Sequence, residues 1–507
     1  MHLPDNGDGT FTNPVMPNAH WSDPGVIRVG TDFYCITSSA ETCPVMQILH
    51  SFDLVNWDVI GSVARQWYPH LPSGHNWSPR LSYVNGRFRV YFHNGLHGFS
   101  VAEAAQAGGP YALLPEHRLS AMHEQWAPSV FEDDDGALYL VASNWIQALD
   151  ADGLGFRGPR AVVTTGFLEN PWLIKRAGWY YWFCSENGTD VWGLLPDKSK
   201  VSVWRARQVL GPYEKCPRPL ILANLSFQCP NTGSVVLGPD GAWWYLYNTL
   251  QVERLTLCRQ MHLDRLEWEA DGWPVVNGGR GPGRSYAKPL AGPGPRWVPD
   301  LNDEFDAPTL EGVDGGVLGR KWLFKREEPA AWSLTERPGW LRLRTLFPSF
   351  DNPSPANVLV QRPASAYYAL ETCLDFTPLA QYQQAGLLVR EMQTGEGLAI
   401  GLDTTNVTLL RVWHTTPSGT RVVAERPYPA SRVYLRIEVE GPVISGRFRA
   451  EGEAWQPLGP AYHYAYHSGY FTTFHPGLFA GETQPSNREA WAAFDYFHWE
   501  DYEPSGA

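Results

Sequence analysis

Five stretches of the chain share one pattern of apolar and polar positions. They are "GVIRVGTDFYCITSS" from Gly25, "RLSYVNGRFRVYFHN" from Arg80, "SVFEDDDGALYLVAS" from Ser129, "WLIKRAGWYYWFCSE" from Trp172 and "SVVLGPDGAWWYLYN" from Ser234. Each is a short apolar strand, a tight turn carrying glycine, and a second strand in which aromatic or β-branched residues alternate with others. Asn85-Gly86, Asp135-Gly136 and Asp240-Gly241 are turn pairs suited to the positive φ angles of tight hairpins. The pattern recurs roughly every 50 residues, the spacing of propeller blades built from short strands. Helical periodicity is nearly absent. These features predict an all-β chain that opens with a five-bladed β-propeller.

From Asn277 to Pro299 the sequence "NGGRGPGRSYAKPLAGPGPRWVP" loses the pattern and reads as linker. Beyond it, "NVLVQRPA", "AGLLVREM", "VTLLRVWHT" and "VYLRIEVEG" alternate at short spacing, as strands of an antiparallel β-sandwich do. The predicted organisation is a propeller over residues 1–290, a linker core at 291–299, and a jelly-roll or concanavalin-like sandwich over 300–507.

Composition narrows the function. The 507 residues are 43% apolar and 18% charged, and they include 23 Trp, 23 Tyr and 22 Phe. Aromatic rings at this density serve cross-strand packing, and their flat faces also suit sugar rings. A formal charge of −13 speaks against nucleic acid or an anionic membrane as the main partner. No apolar run approaches the ~18 residues of a membrane span. The start, "MHLPDNGDGTFTNPV", lacks the basic and apolar regions of a secretory signal. Seven cysteines without paired CxxC spacing fit reduced thiols and a cytoplasmic location.

The candidate chemistry sits just ahead of each repeat, where a proline fixes the entry turn: Asp23-Pro24, Trp77-Ser78-Pro79, Trp126-Ala127-Pro128, Glu169-Asn170-Pro171 and Cys229-Pro230. Inner strands of a propeller converge on a central channel, so Asp23 and Glu169 would face one funnel. Two carboxylates on a shared pocket suit glycoside hydrolysis, one protonating the leaving oxygen and the other handling water or the sugar carbon.

With these motifs the chain resembles glycoside hydrolase family 43, the β-xylosidases and α-L-arabinofuranosidases. The resemblance rests on "NPVMPNAHWSDPGVIRVGTDFYCITSS", "ILHSFDLVNWDVIGSV", "NWSPRLSYVNGRFRVYF", "FLENPWLIKRAGWYYWF", "CRQMHLDRLEWEADGWPVVN" and, in the second domain, "LNDEF" with "WSLTERPGWLRLRT". It implies an exo-acting, inverting glycosidase acting on oligosaccharides from plant cell walls. Asp23 would be the general base and Glu169 the general acid, with Trp77 shaping the sugar subsite and Arg259 touching the glycone. Relatives with this sandwich often form dimers or tetramers, which implies a homo-oligomer.

The chain departs from the family in three places. Ala127 stands where an aspartate usually raises the pKa of the general acid. Three explanations are open: another acid such as Glu124 or Glu186 reaches the same place, burial of Glu169 suffices, or catalysis is lost and a sugar-binding propeller remains. Asn231-Thr232-Gly233 replaces a Gly-His-Gly whose histidine lies near a central metal, often calcium, so no cofactor is expected. Ala40 replaces a bulky aromatic at the sugar pocket, so the glycone preference has room to shift.

Overall fold

Apolar alternation in the first half of the chain produces five antiparallel units arranged as blades, four of them four-stranded and the fourth blade five-stranded. A computed structural model describes residues 3–501 except 40, 67–76, 94–98, 116–118, 120–126, 167, 187–198, 293–297, 311–316, 318, 329–330, 353–354 and 465–472. Blade one comprises Ser22–Val29, Asp32–Ser38, Val45–Ser51 and Asp58–Ala64. The inner strands of blades two to five are Arg80–Val84, Ser129–Glu132, Glu169–Arg176 and Phe227–Leu237, each followed outward by its sequence neighbours. The blades pack through separate apolar clusters. Val26, Phe33 and Leu49 meet Trp244 and Leu263 between blades one and five. Val201 and Phe183 meet Tyr245 and Leu266 between blades four and five. The Asn85-Gly86 turn has positive φ at both residues, 52° and 76°, as a two-residue hairpin requires.

The ring closes by side-chain hydrogen bonds between blades one and five. The Val26 N–H donates to Ser234 Oγ at 2.8 Å, and Arg28 Nη1 donates to the Leu237 carbonyl at 3.0 Å. The sequence reading of 277–299 as linker is corrected in part. Ser285–Ala287 is a strand paired with Thr10–Thr12, and the Lys288 ammonium is buried against Asp5 and Asp53 at 2.6 and 3.2 Å. Paired backbone and buried charges fasten this Gly- and Pro-rich stretch to the propeller.

The second half forms two packed antiparallel sheets, the concanavalin-like sandwich. One sheet runs in the order Gly419–Pro427, Thr408–Thr416, Gly397–Thr404, Gln383–Glu391, Phe474–Glu482, Val358–Val360, Leu323–Lys325, and then Thr42–Cys43. Its last strand is thus donated by blade one. The apolar core is continuous across this junction, from Ile36, Ile48 and Val90 of the propeller to Leu387, Ile400 and Ile437 of the sandwich. Arg362 seals it: fully buried, it donates to the Gln47 side chain and to the Gly319 carbonyl, and its guanidinium lies 3.9 Å from the Trp21 ring centroid.

Candidate active site

The five pre-proline residues share one backbone conformation. Asp23, Ser78, Ala127, Asn170 and Cys229 have φ of 58°, 49°, 54°, 56° and 50°, the left-handed region that non-glycine residues seldom adopt. In blades one, four and five the pairing register also shifts across the proline, between Ser22 and Gly25, Glu169 and Trp172, and Gln228 and Asn231. Bulges of this kind interrupt a ladder and re-aim side chains. Here they set the entry of each inner strand, where the candidate groups stand.

Asp23 is buried and held on every side. Ser38 Oγ donates to its Oδ2 at 2.5 Å, and Arg259 Nη1 donates to its Oδ1 at 3.0 Å. Its backbone N–H donates to Asn248 Oδ1 at 2.6 Å, and its carbonyl accepts from Arg80 Nη1 at 3.0 Å. Ser38 also accepts the Ser78 N–H at 2.7 Å, which links blades one and two behind the carboxylate. Arg259 begins the third strand of blade five after a 3₁₀ turn, Val252–Leu257, and a left-handed Cys258. Its guanidinium lies 5.8 Å from the centroid of the Trp77 ring.

Glu169 begins the inner strand of blade four, opposite Ser185. Burial pushes its carboxyl pKa up to about 7, against the charge of Arg259, and the charge of Asp23 adds to the rise. The Asn231 side chain hydrogen-bonds Glu169 and opposes the rise. The charges of Asp23 and Arg259 both act on Glu169, which places it within electrostatic reach of them. Of the four residues singled out from sequence, Arg259 thus touches Asp23 and lies over Trp77, and Glu169 lies within reach of the charges of Arg259 and Asp23.

Ala127 is fully buried and supplies no charge. Of the two replacement acids considered, Glu124 lies outside the described residues, as do Trp126 and Ala40. Glu186 does not take the role. It follows Ser185, the residue opposite Glu169, so it points to the other face of the strand. There it pairs with Lys215 at 2.7 Å. Burial acts to raise its pKa, but hydrogen bonds from Lys215 and Ser202 bring it below the usual value. Burial of Glu169 is the explanation that the described residues favour.

The fifth-blade triplet Asn231-Thr232-Gly233 lacks the histidine that the family places near a central metal. The fully buried Arg80 opens the inner strand of blade two and donates to the Asp23 carbonyl. Among the described residues, no group of three or more His, Cys, Asp or Glu is disposed to hold a metal ion.

Sequence reasoning missed Ser38, Arg80 and Asn248, and met Asn231 only as a departure from the family's motif. Ser38, Ser185 and Asn248 share a signal: a polar residue near the inner end of an otherwise apolar second strand.

The chain matches the family model of glycosyl hydrolases family 43 over residues 11–274. It matches the beta xylosidase C-terminal concanavalin A-like domain over residues 303–500. It is 32% identical to a xylosidase-named protein of Xylanibacter ruminicola across 68% of this chain, and the match spans 64% of that protein's length. It is 28% identical to the non-reducing end alpha-L-arabinofuranosidase BoGH43B of Bacteroides ovatus, over 75% of this chain and 74% of that one. The fold is similar to the crystal structure of xylan beta-1,4-xylosidase from Bacillus halodurans, with a TM-score of 0.83 and 26% identity over 97% of this chain and all of that one.

Proposed function

The chain belongs to glycosyl hydrolases family 43, and we propose that it is an exo-acting, inverting glycosidase that removes terminal xylose or arabinofuranose from oligosaccharides of plant-cell-wall origin. The observation that carries this reading is the pairing of two unlike carboxyls in one site. Glu169 is buried and has a pKa near 7, whereas Asp23 is ion-paired with Arg259. Such a difference in surroundings divides the roles of acid and base.

Glu169 gives its proton to the glycosidic oxygen as the bond from that oxygen to the anomeric carbon breaks. Asp23 takes a proton from the water whose oxygen bonds to the same carbon from the opposite face, so the configuration inverts. Glu169 ends ionised and Asp23 protonated, and exchange with solvent resets both. Arg259 holds Asp23 in place, and Trp77 beneath it supplies a flat wall for the sugar ring. Glu169 must be protonated to act, and it loses its proton as pH rises through about 7. Activity is therefore expected to fall on the alkaline side near neutrality.

Names of relatives support both xylose and arabinofuranose as the glycone. Seven buried cysteine thiols support a reducing compartment, the cytoplasm, with short imported oligosaccharides as substrate.

The test is turnover of xylobiose and of an arabinofuranosyl-xylooligosaccharide by wild type, Asp23→Asn and Glu169→Gln. The expected result is turnover of at least one by wild type and a loss of about 10²–10⁴-fold in each variant. Saturable binding without turnover by wild type would instead make the propeller a sugar-binding module.

A further inference from the structure

Asn231 and Asn248 stand directly opposite each other on the first two strands of blade five. Directly opposed residues of an antiparallel pair put their side chains on one face of the sheet. Both are buried, at 5% and 1% exposure, and pairing shifts register on either side of Asn231. Each reaches a different neighbouring blade. Asn231 hydrogen-bonds the Glu169 carboxyl on blade four. Asn248 accepts the Asp23 N–H on blade one at 2.6 Å and donates to the Trp21 carbonyl at 3.3 Å.

We propose that this asparagine rung sets the relative placement of the two carboxyls: Asn231 orients Glu169, the task the residue at 127 no longer performs, and Asn248 fixes the backbone of Asp23. The proposal rests on the acid and base roles given above. Asp23 sits at φ 58°, a conformation that an L-residue keeps only when its surroundings hold it. Asn248 on its N–H and Arg80 on its carbonyl supply that hold. Glu169 precedes a bulge, so its own strand does not fix its direction, and it takes its orienting bond from Asn231. With both anchors on one rung, a shift of blade five moves acid and base together.

Both asparagines are positioning residues, and leaving-group dependence separates their roles from general structural support. The substrates are the disaccharide that wild type cleaves and the 2,4-dinitrophenyl glycoside of the same sugar, whose leaving group needs no proton. Asn231→Ala is expected to lose about 10²-fold in kcat on the disaccharide and no more than about 3-fold on the activated glycoside, because only the acid is misplaced. Asn248→Ala is expected to lose a similar factor on both, because attack by water is impaired whatever leaves. Asn231→Asp keeps the size of the side chain and sets a carboxylate against Glu169, so the alkaline limb of its pH profile should move upward.

An equal loss on both substrates by Asn231→Ala, no loss on either, or an unmoved limb in Asn231→Asp would overturn the proposal. Glu169→Gln is the control. If it lacks leaving-group dependence, the acid assignment itself fails. If it shows the dependence and Asn231→Ala does not, the rung alone fails.

Discussion

Glu169 shows how a general acid is tuned when the usual neighbouring carboxylate is absent. Its pKa rises to about 7 chiefly through burial, with the charge of Asp23 adding and Arg259 and Asn231 opposing. Two of the three groups near it thus act to lower the value, which leaves room for a further rise. Ala127→Asp is expected to supply that rise. The new negative charge would disfavour ionisation of Glu169 and move the alkaline limb of kcat upward by roughly one pH unit, while the acid limb stays in place. Aspartate also tolerates the left-handed backbone of position 127 better than alanine, so the variant should fold. The check is the pH dependence of kcat for wild type and variant. An unmoved limb would mean that position 127 does not face the acid. Asp23 and Glu169 were legible in the sequence because each stands one or two residues ahead of a proline that opens a repeat. Asn231 was visible only as a departure from a motif, and its bond to Glu169 depends on a bulge that no local pattern announces.

At the level of elements, the hairpins and their turns were readable, because alternation and the Asn-Gly and Asp-Gly pairs act over a few residues. The bulges were not. They arise where a proline removes a ladder bond and the strand must still reach the channel, and a single extra residue barely alters the alternation. The same limit explains Thr42–Cys43. Two residues are too short for a periodic signal, and their partner, Phe324 with Lys325, lies in the other domain. The segment 285–287 was concealed by its composition, since glycine and proline around it suggest a loop while its backbone pairs with Thr10–Thr12. Long-range pairing of short strands is set by tertiary packing, which local propensity does not encode.

Across the whole molecule, the sandwich braces the segment that carries the base. Arg362 donates to the His20 carbonyl at 3.4 Å and stacks on Trp21. The Ala19 N–H donates to the Pro363 carbonyl at 2.8 Å. Asp23 follows two residues after Trp21. On the other side of the site, Thr473 Oγ donates to the Thr256 carbonyl at 2.7 Å, just ahead of Arg259. Loss of the Arg362 side chain removes hydrogen bonds and a cation–π contact from a closed junction. Arg362→Ala is expected to destabilise the protein by about 2–4 kcal/mol and to lower kcat/KM through a looser Asp23. Thermal unfolding and steady-state kinetics check both effects. A stable variant with unchanged kcat/KM would show that the sandwich is a neighbour and not a brace.

With alanine at position 127, this site is proposed to carry out hydrolysis in one inverting step. Proton NMR during hydrolysis of xylobiose or an arabinofuranosyl-xylooligosaccharide tests it most directly, because the first-formed anomer is seen before mutarotation scrambles it. The released sugar is expected to appear first in the anomeric form opposite to the bond cleaved, and Glu169→Gln to abolish the signal. First release of the retained anomer would contradict the mechanism, and silence from wild type on both substrates would contradict the activity.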